Sequence, residues 1–198
     1  FHAPNRWPAA ELGRAFRKTM GQYTSALRAL ATRLTEAFAL SLGLPVEFFH
    51  QMIDAPCCTL RLNHYPAPPP ERRGKPGEGC GAHSDYGLFT ILAQDKVGGL
   101  QVRNSAGEWV SATPLEGSFV INIGDMLSRW TNGRYASTIH RVVDASRGSA
   151  ARLSVPFFFN PNADAEVACL ATCTDKSNPP RHPPATAEAI LAARYVKA

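Results

Sequence analysis

The chain predicts a mainly β fold with flanking helices. Residues 9 to 42 repeat apolar side chains at three- and four-residue steps, the period of one long amphipathic helix. From Cys57 onward the character changes to short apolar runs separated by turn residues. Many short strands at such spacing argue for a sandwich or barrel, and a closed double-sheet jelly roll is one such solution.

The helix carries Leu12, Phe16, Tyr23, Leu27, Leu30, Leu34 and Phe38 on its repeating face. Pro8 suits its first turn, and Gly43-Leu44-Pro45 ends it. At 1.5 Å per residue it would run about 45–50 Å, a scaffold lying against a sheet. A short helix over 46–52 follows. Thr59 to His64 reads as a strand. The stretch 66–79 holds five Pro and three Gly, a loop that could act as a lid. Further strands are expected at 88–93, 100–103, 109–112, 119–123, 138–143 and 153–159. Asn104-Ser105-Ala106-Gly107 makes a hairpin between two of them. A helical turn is expected over 124–131, and Thr186 caps a last helix ending near Tyr195. The organisation expected is a helical segment at 1–54, a core at 55–165 and an extension with a helix at 166–198.

The 198 residues suit one domain burying about 70% of its unfolded surface. Charge is mildly positive: 21 Lys and Arg face 16 Asp and Glu, with the arginines spread along the chain rather than in a block. A nucleic-acid protein should show a concentrated basic face, so an anionic small molecule is the better partner. No run of about 18 apolar residues occurs, and no membrane partner is expected. The five cysteines are odd in number, and Cys57 and Cys58 are adjacent. Free thiols in a reducing cytoplasm, rather than a disulfide framework or a zinc site, are the expectation.

The chemistry concentrates around Gly81-Ala82-His83-Ser84-Asp85-Tyr86-Gly87. In an extended segment residues i and i+2 share a side, which sets the His83 imidazole beside the Asp85 carboxylate. His140, in the strand-like run 137–143, can supply a third ligand from a neighbouring strand. Two His and one carboxylate with open positions suit a non-heme Fe(II) centre. Arg152 and Ser154 again share a side, and a guanidinium fork with a hydroxyl suits a carboxylate-bearing cosubstrate. Among the apolar groups near these motifs, Phe89, Ile121, Trp130, Phe157, Phe158 and Phe159 are candidates to line a substrate pocket. Phe158 shares parity with Arg152 and Ser154, and Phe89 and Trp130 are carried with it as substrate contacts. Asn122 and Gln101 are possible polar contacts.

Seven segments in order make the sequence recognisable: Arg61-Leu62-Asn63-His64-Tyr65-Pro66, Gly81 to Gly87, Gly98-Gly99-Leu100-Gln101-Val102, Asn122-Ile123-Gly124-Asp125-Met126, Trp130-Thr131-Asn132-Gly133, His140-Arg141-Val142 and Arg152-Leu153-Ser154-Val155-Pro156-Phe157-Phe158. The chain resembles the isopenicillin N synthase-like branch of the Fe(II)/2-oxoglutarate-dependent dioxygenases, which includes plant flavonoid and gibberellin oxygenases. That resemblance implies a double-stranded β-helix (jelly roll) core packed against the long N-terminal helix. It implies Fe(II) on His83, Asp85 and His140, and 2-oxoglutarate with its far carboxylate on Arg152 and Ser154. Tyr65 and Asn63 match positions that also contact this cosubstrate. O2 is the oxidant, and ascorbate a stimulant such enzymes can use. The implied reaction hydroxylates or desaturates a small-molecule metabolite as 2-oxoglutarate is decarboxylated to succinate and CO2. The alternatives are an Fe(II) oxidase of the same branch that dispenses with 2-oxoglutarate, and a non-catalytic binding module. A monomer is expected. Since family members usually carry a further stretch before this point, Phe1 reads as an interior start.

Overall fold

The computed structural model describes residues 4–72, 77–143 and 150–195. The predicted long helix is present as α1, Ala10–Ser41. Its buried stripe is Leu27, Ala31, Thr35, Ala39 and Leu42, four- and three-residue steps that keep one face inward. Gly43, at φ +70°, closes the helix in the left-handed conformation, and the Leu44 N–H donates back to Ala39 O at 3.0 Å. The expected short helix over 46–52 is reduced to a 3₁₀ turn at His50–Met52.

The strands form two facing sheets. The larger contains β1 (Cys58–Leu60), β2 (Asn63–Tyr65), β4 (Phe89–Gln94), β7 (Val120–Ile123) and β9 (Arg152–Phe159), in the order β1–β9–β4–β7 with β2 also on β9. The smaller has β3 (Glu78–His83), β8 (His140–Val143), β5 (Leu100–Arg103) and β6 (Trp109–Ser111), in that order. All pairings are antiparallel. This is the jelly-roll core packed against a long N-terminal helix, and it brings chain-distant residues to one cavity. A two-stranded ribbon, β10 (Glu166–Val167) with β11 (Ala185–Thr186), lies outside it, and α2 (Asp125–Trp130) and α3 (Ala187–Tyr195) complete the described elements. The Thr186 cap is realised: its Oγ1 accepts from the Ala189 N–H at 3.2 Å.

Two strand expectations need correction. The single strand over 59–64 is broken at Arg61-Leu62 into β1 and β2, opposite Val155-Pro156 of β9, where the Arg61 N–H donates to Pro156 O at 3.0 Å. A proline has no N–H for the ladder, so a break there costs little. The His-x-Asp segment is not wholly extended either: β3 ends at His83, and Asp85 stands in the loop beyond it. Of the expected lid over 66–79, Pro70–Arg72 is a 3₁₀ turn and 78–79 begin β3, while residues 73–76 lie outside the described residues.

The core lies between the larger sheet and α1. Phe89, Ile91, Phe157 and Phe159 are at most 1% exposed. Phe89 stacks on Phe159 at 5.3 Å and meets Phe38 of α1 at 5.6 Å. Phe89 therefore serves the core and not the substrate pocket, as do Phe157 and Phe159. Trp130 is likewise 1% exposed; its ring sits 5.3 Å from that of Phe49, and its N–H donates to Glu166 O at 3.1 Å. Strand alternation explains the correction for Phe89, since its neighbour Thr90 faces the other way.

Candidate active site

Between the sheets lies a cavity of about 480 Å³ lined by Asn63, Tyr65, His83, Asp85, His140, Arg152, Ser154 and Phe158. One end gathers the three candidate ligands. The Nε2 atoms of His83 and His140 are each 3.7 Å from Asp85 Oδ1, and the three donor atoms lie within 4.8 Å of one another. The two rings are 4.3 Å apart, because β3 and β8 pair His83 directly with His140.

Each imidazole is oriented by its own strand. His83 Nδ1–H donates to Gly81 O at 2.8 Å, and His140 Nδ1–H to Thr138 O at 3.0 Å. A carbonyl can only accept, so the proton belongs on Nδ1 and the Nε2 lone pair turns toward the shared space. The carboxylate is held in the same manner. Asp85 Oδ2 accepts from Thr90 Oγ1 at 2.5 Å and from Asn122 Nδ2 at 2.7 Å, leaving Oδ1 toward the imidazoles. Outer hydrogen bonds of this kind set tautomer and aim in metal sites. Asn122 is thus a contact of the carboxylate; Gln101, its companion in expectation, instead accepts from Arg141 Nε at 2.9 Å.

The loop carrying Asp85 sits very close to the end of β7. A Cβ on Gly124 would lie 2.3 Å from Gly87 O, and one on Gly87 would lie 1.9 Å from Asn160 Oδ1. Glycine at 124 lets the two backbones touch, glycine at 87 makes room for the Asn160 side chain, and the Asp125 N–H donates to Asp85 O at 2.8 Å.

Across the cavity, β9 presents Arg152 and Ser154, each 4% exposed, opposite Tyr65 and Asn63 of β2. Arg152 Nε–H donates to Gly98 O at 2.5 Å, and the guanidinium lies 5.0 Å from the Tyr65 ring centroid. Its two terminal nitrogens are buried with no hydrogen-bond partner among the described residues. A buried cation without an acceptor costs free energy unless a ligand supplies one, and two parallel N–H donors match a carboxylate.

The donor sets therefore fit both groups. Two neutral imidazoles and one carboxylate, with the rest of the sphere uncovered, suit Fe(II). The orphaned fork and the Ser154 hydroxyl suit the distal carboxylate of a keto acid. Of the residues read from sequence, the structure brings together His83, Asp85, His140, Arg152, Ser154, Tyr65, Asn63 and Phe158, and leaves out Phe89 and Trp130. Thr90 went unread; its signal was a lone hydroxyl inside the apolar run Leu88-Phe89-Thr90-Ile91-Leu92.

Comparison with known proteins agrees. The family model described as the 2OG-Fe(II) oxygenase superfamily matches residues 56–161. A 2-oxoglutarate-Fe(II) type oxidoreductase of Emericella nidulans is 38% identical over 194 residues, covering 97% of this chain and 55% of that protein. A homoarginine-6-hydroxylase of Arabidopsis thaliana is 43% identical over 177 residues, covering 87% and 52%. The chain thus spans about half the length of these curated relatives. A full-length Neurospora crassa protein crystallised with alpha-KG and thymine superposes with a TM-score of 0.89 at 34% identity, covering 98% of this chain and 60% of that one. With its cavity, its ligand set and these matches in agreement, the chain belongs to the 2OG-Fe(II) oxygenase superfamily.

Proposed function

We propose that this protein is an Fe(II)- and 2-oxoglutarate-dependent oxygenase that hydroxylates or desaturates a small metabolite, with residues 55–165 as its catalytic core. The observation that carries the reading is the pair of terminal guanidinium nitrogens of Arg152, buried without a hydrogen-bond partner among the described residues in the cavity that also holds the His83, Asp85 and His140 cluster. His83, Asp85 and His140 would hold iron on one side only. Arg152 and Ser154 would anchor the distal carboxylate of 2-oxoglutarate, with Tyr65 and Asn63 beside it. When bound, iron with 2-oxoglutarate and O2 supplies the oxidising power, yielding succinate, CO2 and an oxidised substrate. The chain itself positions the reactants and keeps water out, and no acid–base side chain is required.

A small substrate agrees with a cavity of about 480 Å³ and with relatives named for homoarginine or crystallised with thymine. Five free cysteines agree with a reducing, cytoplasmic setting, and no helix among the described residues is long and apolar enough to cross a membrane. The test is succinate release in the presence of Fe(II), 2-oxoglutarate, O2 and a metabolite panel. Succinate is expected from the native protein and not from Asp85→Ala. Oxygen consumption without succinate would favour an oxidase that dispenses with the keto acid, and neither would favour a binding module.

A further inference from the structure

Two of the three candidate ligands, His83 and Asp85, line two cavities. Besides the one holding Arg152, a second of about 290 Å³ opens on the other side, lined by Thr59, Ser84, Tyr86, Asn160, Leu191 and Tyr195. The two share Arg61, His83, Asp85 and Phe158. Helix α3 forms the far wall of the second cavity. It is held there by the Tyr86–Tyr195 ring contact, 6.3 Å and near perpendicular, and by an ion pair of Arg194 with Asp125.

Arg61 stands where the two cavities meet. Thr59, Arg61, Asn63 and Tyr65 all line one cavity or the other, so the interrupted edge β1–β2 keeps a single inward parity through its break. The Arg61 guanidinium lies 5.5 Å from the Phe158 ring centroid, and no carboxylate among the described residues pairs with it. Arg194 is already matched by Asp125.

Charge decides what this means. In the loaded site, Fe(II) and Arg152 together balance Asp85 and the two carboxylates of 2-oxoglutarate. Among the described residues, Arg61 is then the one lining cation left without a counter-charge. A cleft of one sign favours a ligand of the other, and a guanidinium fork favours a carboxylate.

We propose that the second cavity receives the substrate to be oxidised, and that this substrate is a small carboxylate with an aromatic or apolar body. Arg61 takes the carboxylate, while Phe158, Tyr86 and Tyr195 flank the body. The inference rests on the oxygenase reading above and deepens it.

The test uses the 198-residue chain loaded with Zn(II), an ion that blocks turnover, and saturated with 2-oxoglutarate. Phenylacetate and its uncharged counterpart phenylacetamide are titrated by calorimetry. A charge-assisted bond at a partly exposed site leads to an expected preference of about tenfold for the acid. Arg61→Met, which keeps the stem over Phe158, should reduce the preference to about twofold or less. Arg61→Lys, which keeps the charge without the fork, should lie between. Equal affinity for the two probes, no binding of either, or a preference that survives Arg61→Met would overturn the proposal. Failure of 2-oxoglutarate itself to bind the Zn(II)-loaded protein would instead remove the oxygenase reading and this inference with it.

Discussion

The two faces of strand β9 do opposite work. Outward, Phe157 and Phe159 are at most 1% exposed and join Phe89 and α1 in a dry core. Inward, Arg152, Ser154, Pro156 and Phe158 line the cavity between the sheets. Within one strand, parity thus separates Phe157 and Phe159, which pack the core, from Arg152, Ser154, Pro156 and Phe158, which line the cavity. On the outer face Phe157 and Phe159 find apolar neighbours, while Leu153 near the start of the strand is 54% exposed. On the inner face two guanidinium nitrogens find no hydrogen-bond partner among the described residues. Stability and chemistry are adjacent in sequence yet back to back in space.

Substitutions that change one face at a time can break this division. Phe157→Ala should have the largest effect, costing about 3–5 kcal/mol of stability through lost burial and the cavity left behind. Urea unfolding measures it, and the molecules that remain folded should keep their 2-oxoglutarate affinity. Arg152→Leu should do the reverse. Loss of charge-assisted bonds worth about 1.5–3 kcal/mol raises the 2-oxoglutarate dissociation constant by one to two orders of magnitude. The urea midpoint of the ligand-free protein should move far less than in Phe157→Ala. An unchanged 2-oxoglutarate affinity would remove Arg152 from its role.

Smaller effects sharpen the contrast. Thr90→Val removes one of the two hydrogen bonds on Asp85 Oδ2 while Asn122 keeps the other. A bond worth about 1 kcal/mol predicts metal affinity weakened several-fold, measured by competition with a chelator. The smallest effect belongs to Cys58 on β1, whose burial pushes the thiol up to about 11, with Arg28 opposing. Well below pH 9 the thiol is neutral in folded and unfolded chains alike, so it contributes no pH dependence there. Between about 9 and 11 the unfolded chain ionises first, and stability falls as pH rises. Alkylation of native protein at pH 9, mapped by mass spectrometry, should therefore reach Cys58 more slowly than it does in the unfolded chain.

Much of this was legible from residue types and spacing. The three- and four-residue steps of Leu27, Leu30, Leu34 and Phe38 set α1 against the core, although Phe16 from the same series is 39% exposed, and shared parity put Arg152 with Ser154. The three candidate ligands do lie together, though the premise was partly wrong, since His83 closes a strand and Asp85 stands in a loop. Phe89 and Trp130 misled because nearness to a motif in sequence says little about direction. For Phe89, the hydroxyl of Thr90 next to it already marked the inward side. What spacing could not carry were contacts between distant strands: Thr90 and Asn122 reaching one carboxylate oxygen, or α3 folding back so that Tyr195 meets Tyr86. Such contacts depend on how the sheets roll, which local periodicity does not encode.

The touching glycines, Gly87 and Gly124, carry one more implication. Main chain rests on main chain there, and the Asp125 N–H donates to Asp85 O, so the backbone beneath the carboxylate is held against the end of β7 by atoms common to all residues. Repacking of side chains elsewhere has little leverage on it. A variant library that alters the cavity walls while sparing these two positions should change which molecules are accepted long before it disturbs the aim of the carboxylate.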